Sequence, residues 1–449
     1  MNKELLKDIV SDWGKADVYY VGGCVRDMLL GIEPKDYDLC VNLDNGAQIF
    51  TDYLKENWSH VCSGFTVFPK YGTAKFDLLG EQIECVMPRR ETYNLGPRKP
   101  DQVSYAGIYE DALRRDFCCN ALYQNVLSGV ILDPTEKGRE DVRNKILRTP
   151  ISGKETFIDD PLRMLRAFRF SYQKGFIISQ EVLDSITDYP EYYELSMERV
   201  WSEFSKILIT QEPGKAIQDL HNHKLLNYII PELEESWGFE QHSKYHNLTL
   251  TDHTFAVLKR VRPDLILRTA ALLHDLGKYK EHGVREDGTW SYIGHEKVSS
   301  VLGRKILERL KCSGDFIDRV CCLIENHMIL KQWKGERRRV RKVMRILGDN
   351  LDLALELIDA DNNAHAPEYC LGGQIQEFKK YVEEERNKPA PLISPISGRT
   401  IMERLGIQEG IEVGKIKNIM QGWYDENPEL NENDLIKKYE EEIGNINFI

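Results

Sequence analysis

The chain has 449 residues, of which 41% are hydrophobic, and its formal net charge at pH 7 is −12. A chain of this length is sufficient for roughly three domains of about 100–200 residues each. The acidic balance argues against indiscriminate binding to nucleic acid, because contacts with phosphates need local positive charge. No stretch of the sequence approaches about 18 uncharged apolar residues, which argues against a membrane-spanning helix.

The start of the chain and its cysteines indicate a cytoplasmic protein. The segment MNKELLKDIVSDW predicts a charged amphipathic helix rather than a signal peptide. The ten cysteines show no CxxC spacing, so they predict neither a zinc knuckle nor a disulfide framework. We expect reduced thiols, most of them in hydrophobic cores.

The segment from Val18 to Val41 carries the first chemical signal. Its pattern predicts a strand, a turn, a short helix and a second strand, at Val18–Val21, Gly22-Gly23, Cys24–Leu30 and a stretch that includes Asp36 and Asp38. Asp36 and Asp38 alternate along a strand, so both carboxylates project from one face and need a cation between them. Mg2+ is coordinated by carboxylate oxygens of this kind together with substrate phosphates. Without Cβ atoms, Gly22 and Gly23 allow backbone N–H groups to approach a phosphate at a helix start.

With Arg26-Asp27 after the glycines, this stretch resembles motif A of the DNA polymerase β nucleotidyltransferase superfamily. The form is that of the class II tRNA CCA-adding enzymes and bacterial poly(A) polymerases. The resemblance implies an α+β fold, with a mixed-sheet nucleotidyltransferase head, an all-α neck that binds nucleotide and RNA, an HD-type helical bundle and a helical tail, at residues 1–150, 151–240, 241–370 and 371–449. It also implies that Gly22, Gly23 and Arg26 contribute to nucleotide binding.

A predicted hairpin and a loop follow motif A. Two alternating strands flank Leu79-Gly80-Glu81, and Glu84 lies on the second strand. The resemblance implies that Glu84 joins Asp36 and Asp38 as a third carboxylate that binds two Mg2+ ions. The segment RRETYNLGPRKPDQVSY predicts a mobile loop beside the active site, with Arg90, Glu91 and Tyr93 placed as in the family's flexible loop.

The segment EDALRRDFCCNAL is predicted to be helical, and its Arg114, Arg115 and Asp116 resemble motif B. The resemblance implies that Arg115 and Asp116 hold the ribose and that Asn120 adds a hydrogen bond. A carboxylate that accepts a hydrogen bond from a 2'-hydroxyl distinguishes ribose from deoxyribose.

The segment FIDDPLRMLRAFRF has the sharpest chemical content. Asp160 and Arg163 are three residues apart on a predicted helix, so we expect them on one side of it. An aspartate accepts hydrogen bonds and an arginine donates them. Cytosine and adenine both offer an exocyclic amine, which is a donor, beside a ring nitrogen, which is an acceptor. One Asp/Arg pair can therefore accept C and A and reject U and G, which is the logic of motif D in the resembling family. Arg166 and Arg169 extend the basic, nucleotide-binding side of this helix.

MERVWSEFSKIL resembles motif E, and we expect a structural helix of the neck.

Eight of the eleven histidines lie between His242 and His365. The segments TDHTFAVL, ALLHDLGK, GHEKVS, ENHM and LIDAD resemble the HD phosphohydrolase superfamily. The resemblance implies an α-helical bundle whose metal ligands are His253, His274, Asp275, His295, His327 and Asp361. Such ligands suit a divalent transition metal or Mg2+, with an open position for an activated water. The expected reaction is hydrolysis of phosphate monoesters or 2',3'-cyclic phosphates.

Two further segments leave alternatives open. The run KGERRRVRKVMR, from Lys334 to Arg345, is either a basic groove for nucleic acid or a solvated helix face. The tail segment from Pro395 to Met420 resembles the C-terminal signature of the same nucleotidyltransferases, with three glycines expected in loops, Gly406, Gly410 and Gly414. It either grips tRNA or packs against the HD region.

The motifs occur in the family's order over nearly the whole chain. The resemblance implies a template-independent enzyme that adds CMP and AMP from CTP and ATP to tRNA 3' ends and releases pyrophosphate, with tRNA, ATP and CTP as partners and no membrane. A poly(A) polymerase, or an enzyme that adds only CC or only A, would share every motif. From a different class, the chain could be chiefly an HD phosphohydrolase with an RNA-binding N-terminal half.

Overall fold

The computed structural model describes residues 1–92, 102–189, 195–243, 245, 247–331, 333–370, 372–388 and 391–443. The chain forms two compact units, Met1–Ile229 and Ile230–Ile449. The first combines a sheet with helices and the second is almost entirely helical. This confirms the predicted α+β class, while the expected division into four domains stays a prediction.

The strands are β1 to β13, at Val18–Val21, Tyr37–Val41, Cys62–Phe68, Thr73–Leu78, Glu81–Val86, Arg89–Thr92, Gln102–Tyr105, Tyr123–Asn125, Ile131–Leu132, Ile146–Leu147, Ile177–Ile178, Gly283–Val284 and Trp290–Ser291. The α-helices of the N-terminal unit are α1 to α11, at Lys3–Trp13, Gly23–Leu29, Gly46–Asn57, Ile108–Leu113, Gly138–Asn144, Gly153–Asp159, Leu162–Lys174, Gln180–Thr187, Met197–Leu208, Pro213–Asn222 and Leu226–Ile229. Those of the C-terminal unit are α12 to α22, at Pro231–Glu235, Leu250–Arg260, Leu265–Leu273, His295–Arg309, Gly314–Asn326, Arg337–Leu347, Leu351–Asn362, Gly372–Arg386, Gly398–Leu405, Ile411–Glu426 and Glu432–Glu442.

The N-terminal unit is built on a seven-stranded sheet in the order β3-β4-β5-β2-β1-β8-β9. β2 and β5 are parallel, and the other neighbouring strands are antiparallel. Alternate residues of β4 and β5 are buried, whereas β2 is buried at every position except Asp38. The helix α3 packs across β3 and β4. The predicted hairpin is confirmed: Leu79 and Gly80 both have positive φ, 53° and 85°, as in a tight two-residue hairpin turn.

The first strand-helix-strand unit differs slightly from its prediction. The helix α2 begins at Gly23 and ends at Leu29, one residue earlier at each end than expected. The strand β2 begins at Tyr37, so Asp36 immediately precedes the strand and only Asp38 is part of it. The prediction that both acids lie within the strand is therefore wrong by one residue.

The predicted loop after this region is partly wrong. β6 and β7 pair as an antiparallel ribbon, so Arg90 and Glu91 lie on a strand. Tyr93 lies outside the described residues. The expected motif E helix is confirmed as α9, which packs against α7.

In the C-terminal unit, α14 packs against α13, α16 and α18, and α15 packs against α16. The last three helices share a small core of their own, which includes Ile401, Ile416, Met420, Leu435 and Tyr439. Gly406 and Gly410 lie before α21, but Gly414 is inside that helix, so its expected loop position is wrong. Within the described part of the chain, no helix is long and apolar enough to cross a membrane.

The basic run from Lys334 to Arg345 forms most of α17, and its arginines serve packing within the unit. Arg341 is 1% exposed, and its Nη1 lies 3.0 Å from Oε2 of Glu385 on α19. Three other arginines also pair with acids of α19 or α21, as Arg337–Glu384, Arg338–Glu426 and Arg345–Asp425. Because these charges are paired within the protein, the structure does not support a basic groove here.

Candidate active sites

The acids of the head meet on two neighbouring strands. Asp38 of β2 and Glu84 of β5 are partners in the parallel register, and Asp36 directly precedes β2. Lys75 of β4 lies beside them, with its Nζ 3.2 Å from Glu84 Oε1. Asp36 and Asp38 thus lie beside Glu84, which comes from a later hairpin, on two central strands of the sheet.

The electrostatics of this group of acids suit a cation. Burial and the nearby charge of Glu84 raise the pKa of Asp38 to about 6, although Arg115 opposes the shift. A carboxylate whose charged form is disfavoured by another acid gains from a bound divalent ion, and hard cations prefer these oxygens. In the described residues, the side-chain oxygens of these acids do not converge within 4.8 Å.

The Gly-Gly turn lies against the acids. Gly22 has φ 75°, and a Cβ atom at this position would lie 3.3 Å from Arg115 Nη1 and 3.9 Å from Asp38 Oδ2. A side chain here would be strained and would occupy the space between a cation and an anion. The glycine therefore leaves open the space between the Arg115 guanidinium and the Asp38 carboxylate.

Asp116 is the centre of a buried polar network. Its Oδ2 accepts hydrogen bonds from Nε and Nη2 of Arg166, at 2.9 Å and 2.7 Å. Its Oδ1 accepts from Asn120 Nδ2 at 3.0 Å, and Asn120 Oδ1 accepts from Arg26 Nη1 at 2.7 Å. Burial would raise the pKa of Asp116, but the charge of Arg166 and these hydrogen bonds outweigh it and lower the pKa to about 2. Four of the predicted nucleotide-binding residues are thus joined.

The network continues to α9. Arg169 Nε lies 2.5 Å from Glu203 Oε2, and Arg166 Nη1 lies 3.8 Å from Glu203 Oε1. Glu203 is 5% exposed, so α9 supplies a buried counter-charge to α7. Glu203 of the motif E helix therefore helps to hold the side chains of Arg166 and Arg169 in place.

Motif B is not helical, which corrects the prediction. The helix α4 ends at Leu113, so Arg114, Arg115 and Asp116 lie in the turn that follows, and Asn120 ends a short 3-10 helix.

Asp111 organises this turn and was missed from the sequence. It is fully buried, and its carboxylate lies 2.6 Å from Arg114 Nη2 and 3.0 Å from Arg115 Nη2. It also accepts a 2.5 Å hydrogen bond from the Tyr123 hydroxyl. Burial would raise the pKa of Asp111, but the two arginines outweigh it and hold the pKa far below its usual range. The signal was present, because an acid three and four residues before two arginines predicts ion pairs on a helix end.

Asp160 and Arg163 do not lie on one helix. Asp160 follows α6 in an extended conformation, with φ −151° and ψ 99°, and Arg163 is part of α7. Pro161 explains the break, since a residue before proline is driven out of the helical conformation. The prediction that helical spacing aligns the two side chains is therefore wrong.

The pair nevertheless lies close to the other motifs. Arg163 is 8% exposed and donates to the carbonyl oxygens of Thr156 and Arg114, at 3.1 Å and 2.5 Å. Asp160 Oδ2 accepts from Arg199 of α9 at 2.7 Å. Arg163 thus links α7 to the turn of motif B, and the two base-reading candidates each have a partner within the unit.

The HD residues form a compact, buried centre. His253, His274, Asp275 and Asp361 offer ligand atoms within 4.8 Å of one another, and so do Asp275, His295 and His327. Asp275 belongs to both groups: its Oδ2 lies 3.3 Å from Nε2 of both His253 and His274, and its Oδ1 lies 3.0 Å from His295 Nε2. The other five predicted side chains therefore come together around the Asp275 carboxylate.

The surroundings of Asp275 favour positive charge. Burial would lower the pKa of His274, but the negative charges of Asp275 and Asp361 outweigh burial and raise this pKa to about 10. Lys278 Nζ lies 2.7 Å from Asp275 Oδ2 and 3.1 Å from Gln241 Oε1. Imidazoles and carboxylates in this arrangement suit a divalent cation. Lys278 is the last residue of the ALLHDLGK segment, but the sequence pattern assigned it no role. No sequence signal links Gln241 to this centre.

The sequence matches three family models in the order of these sites. They are the poly A polymerase head domain over residues 18–148, the probable RNA- and SrmB-binding site of polymerase A over residues 175–236 and the HD domain over residues 236–362. A multifunctional CCA protein of Vibrio vulnificus is 32% identical over 332 residues, which cover 69% of this chain and 75% of that protein. The chain belongs to the family of CCA-adding tRNA nucleotidyltransferases.

Other members of this nucleotidyltransferase family match over more of the chain. A tRNA nucleotidyltransferase of Schizosaccharomyces pombe is 26% identical, with 95% of this chain and 91% of that protein covered. An A-adding tRNA nucleotidyltransferase of Deinococcus radiodurans is 28% identical, with 88% of each protein covered. The Bacillus stearothermophilus CCA-adding enzyme in complex with CTP has the same fold, with a TM-score of 0.68, 21% identity and 98% of each chain covered.

Proposed function

We propose that this protein adds CMP and AMP, from CTP and ATP, to the 3' ends of tRNA and releases pyrophosphate. The observation that carries the proposal is the pairing of Asp38 with Glu84 beside Asp36, in a unit that matches the polymerase head model. The relatives named for CCA addition and A addition support the choice of tRNA as substrate. The ten free thiols are in keeping with a cytoplasmic location.

We assign Asp36, Asp38 and Glu84 to two Mg2+ ions. When bound there, the ions would lower the pKa of the tRNA 3'-hydroxyl and stabilise the charge of the triphosphate. The 3'-oxygen forms a bond to the α-phosphorus, the hydroxyl proton leaves, and the bond between the α-phosphorus and pyrophosphate breaks. Gly22 and Gly23 would receive the triphosphate beside Arg115, which is held in place by Asp111.

The nucleotide would be recognised by the network around α7. We assign ribose contacts to Arg115, Asp116 and Asn120, and base selection to Asp160 and Arg163. Asp116 is already held by Arg166, so its carboxylate stays charged and fixed in orientation for a ribose hydroxyl. Arg26, Arg166 and Arg169 would support this site through the buried network.

A second function belongs to the C-terminal unit, where we propose a metal-dependent phosphohydrolase. The supporting observation is the set of six buried ligand candidates, Asp275 and the five side chains around it. A divalent transition metal or Mg2+ bound there would supply an activated water. For a 2',3'-cyclic phosphate, the water oxygen bonds to phosphorus, one bond from phosphorus to a ribose oxygen breaks, and that oxygen takes a proton.

Addition of A alone is the rival activity, because one relative is named for it. The Deinococcus radiodurans relative, named A-adding, matches as much of its length as of this chain. The head motifs are shared by both activities, so the products of the reaction must decide between them.

The two-site proposal is tested by Asp36→Ala and Asp38→Ala. We expect each variant to lose nucleotide addition to a tRNA transcript by about 1,000-fold or more while hydrolysis of adenosine 2',3'-cyclic phosphate continues. Asp44→Ala, at an exposed acid just after β2, is the matched control and should keep both activities. Equal loss of both activities in the site variants would contradict two independent centres.

A further inference from the structure

Lys75 is a basic residue on β4, beside the acids of the head. In the strand registers, Lys75 is opposite Glu84, and Glu84 is opposite Asp38. Gly22 continues this row on the other side, since a Cβ atom there would lie 3.9 Å from Asp38 Oδ2. The row therefore crosses β4, β5, β2 and the end of β1, with Lys75 at one end and Gly22 at the other.

The face of the sheet that carries Lys75 is open beyond the acids. Thr66 of β3 is opposite Lys75 and is exposed. The side chains of Lys75 and Glu84 are 39% and 47% exposed, and Phe68, two residues further along β3, is 40% exposed. The alternate residues of β4 are buried on the other face, where α3 packs. An extended strand of a ligand can therefore lie across β3, β4 and β5, next to the acids.

The proposed reaction determines which substrate reaches this face. In phosphoryl chemistry of this kind, the attacking and leaving oxygens lie roughly in line, on opposite sides of the phosphorus. The triphosphate is assigned to Gly22, Gly23 and Arg115, at one end of the row, so pyrophosphate leaves toward that end. The 3'-oxygen of the RNA must therefore approach from the other end, where Lys75 lies.

The charge of Lys75 suits the end of an RNA strand. The terminal nucleoside, whose 3'-hydroxyl reacts, is joined to the preceding one by a negative phosphodiester. Among the described residues, the acid that pairs with Lys75 is Glu84, whose Oε1 lies 3.2 Å from Lys75 Nζ. An ammonium group has three N–H donors, so Lys75 can donate to a phosphate oxygen while it contacts Glu84. Because exposed ion pairs add little to stability, the loss of this pair should leave the fold intact.

We propose that Lys75 binds the last phosphodiester of the RNA acceptor, the linkage on the 5' side of the terminal nucleoside. The inference rests on the proposed nucleotide addition and adds a residue that binds the acceptor rather than the incoming nucleotide. The contact offsets the repulsion between this phosphate and the carboxylates of Asp38 and Glu84. It also holds the terminal ribose over the acids, with its 3'-oxygen directed along the row.

Two tRNAs that differ at one linkage test this role. Both end in CC and accept A from ATP, but the last phosphodiester is ordinary in one and a neutral methylphosphonate in the other. For the full-length protein, we expect Lys75→Ala to raise KM for the ordinary tRNA by about 10-fold and to leave KM for ATP within about 2-fold of wild type. The methylphosphonate should raise KM for wild type by a similar factor. Lys75→Ala should then add little, because the charge that Lys75 recognises is already absent.

Lys75→Arg and Lys55→Ala are the matched controls. Arginine keeps the charge and the donors, so Lys75→Arg should restore most of the affinity for the ordinary tRNA. Lys55 is an exposed lysine of α3, which packs on the opposite face of the sheet, and its replacement should behave as wild type. In Lys75→Ala, the slope of the logarithm of the tRNA binding constant against the logarithm of salt concentration should decrease by about 0.7, as expected for one phosphate contact to a single strand.

Three results would overturn the proposal: a loss of equal size on both tRNAs, an equal rise in KM for ATP, or no change on the ordinary tRNA. Equal loss on both tRNAs would mean that Lys75 acts only through Glu84. If the wild-type protein adds no A to the ordinary tRNA, nucleotide addition fails separately, and the Kd for tRNA then decides. A Kd that Lys75→Ala raises for the ordinary tRNA alone supports the contact, and a Kd that it leaves unchanged overturns it.

Discussion

Asp38 and Glu84 are direct partners across the parallel pair of strands β2 and β5. This register places the carboxylate of the first motif beside an acid from the far arm of a hairpin. The charge of Glu84 is one reason why the pKa of Asp38 is raised to about 6, after burial. The relationship carries the proposed nucleotidyl transfer, because two adjacent acids of this kind fit a divalent cation.

Replacement of Glu84 tests this relationship without deleting a side chain. We expect Glu84→Gln to slow nucleotide addition by about 10-fold or more and to raise the Mg2+ concentration needed for half-maximal rate, because one charged ligand is lost. The measurement is the single-turnover rate as a function of Mg2+. Glu81→Gln, at an exposed acid on the same strand, is the control and should behave as wild type. An unchanged Mg2+ dependence in Glu84→Gln would remove Glu84 from the metal site.

Asp111 is predicted to support both stability and nucleotide binding. Asp111→Asn leaves Arg114 and Arg115 without their buried counter-charge, and breaking a buried pair costs about 3–5 kcal/mol. We expect a lower melting temperature and a higher KM for CTP and ATP, since Arg115 would no longer be fixed beside Gly22. Glu110→Gln removes the neighbouring acid, whose partner Arg90 is exposed, and should cost no more than about 1 kcal/mol. Equal stability of the two variants would contradict this role.

Asp116 predicts a pH-dependent contribution to stability. Its pKa in the folded protein is about 2, below the ordinary value of 3.8 for an aspartate. Its charge therefore stabilises the folded state above about pH 4, and this stabilisation is lost as the pH falls toward 2. The shift corresponds to about 2 kcal/mol at pH 7. We expect Asp116→Asn to be less stable than wild type at pH 7, with a difference that shrinks on acidification below pH 4.

Urea unfolding of both proteins between pH 7 and pH 3 measures that difference. Asp188→Asn, at an exposed acid after α8, should match wild type throughout. A deficit of Asp116→Asn that stays constant with pH would show that packing, rather than charge, explains it.

Asp160 and Arg163 are predicted to select the base. We expect Asp160→Ala and Arg163→Ala to lower the preference for CTP and ATP over UTP and GTP, because a matched hydrogen-bond pair contributes about 1–3 kcal/mol of discrimination. The measurement is kcat/KM for all four nucleotides on one tRNA transcript. Lys154→Ala, at an exposed position of α6, is the control. A general loss of activity with the same preference would assign both residues to structure alone.

Much of the fold follows from short-range patterns in the sequence. The hairpin around Leu79 and Gly80 and the helix of MERVWSEFSKIL were predictable because each depends on local turn or helix chemistry. The head acids and the six HD residues were found because their motifs occur together and in order. The structure places these acids on or beside the central strands β2 and β5, and it places the four histidines and Asp361 around Asp275.

The sequence failed to predict a contact where a local signal was overlooked or where long-range packing determines the structure. Pro161 forces Asp160 out of the helix, and this proline was visible in the sequence. The sequence left open whether the arginines of α17 form a basic groove, because the acids that pair with them lie far along the chain. The contact between Lys278 and Gln241 depends on how helices of the bundle meet, which no local pattern encodes.

The most direct test of the central claim is single-turnover addition to three tRNA transcripts, which end before CCA, after C and after CC. Labelled CTP and ATP are supplied separately and together. We predict that CTP extends the first two transcripts to CC, that ATP extends only the third, and that together they complete CCA and stop. Extension by A alone on the third transcript, with no use of CTP, would identify an A-adding enzyme. Long A tails or no addition at all would contradict the account.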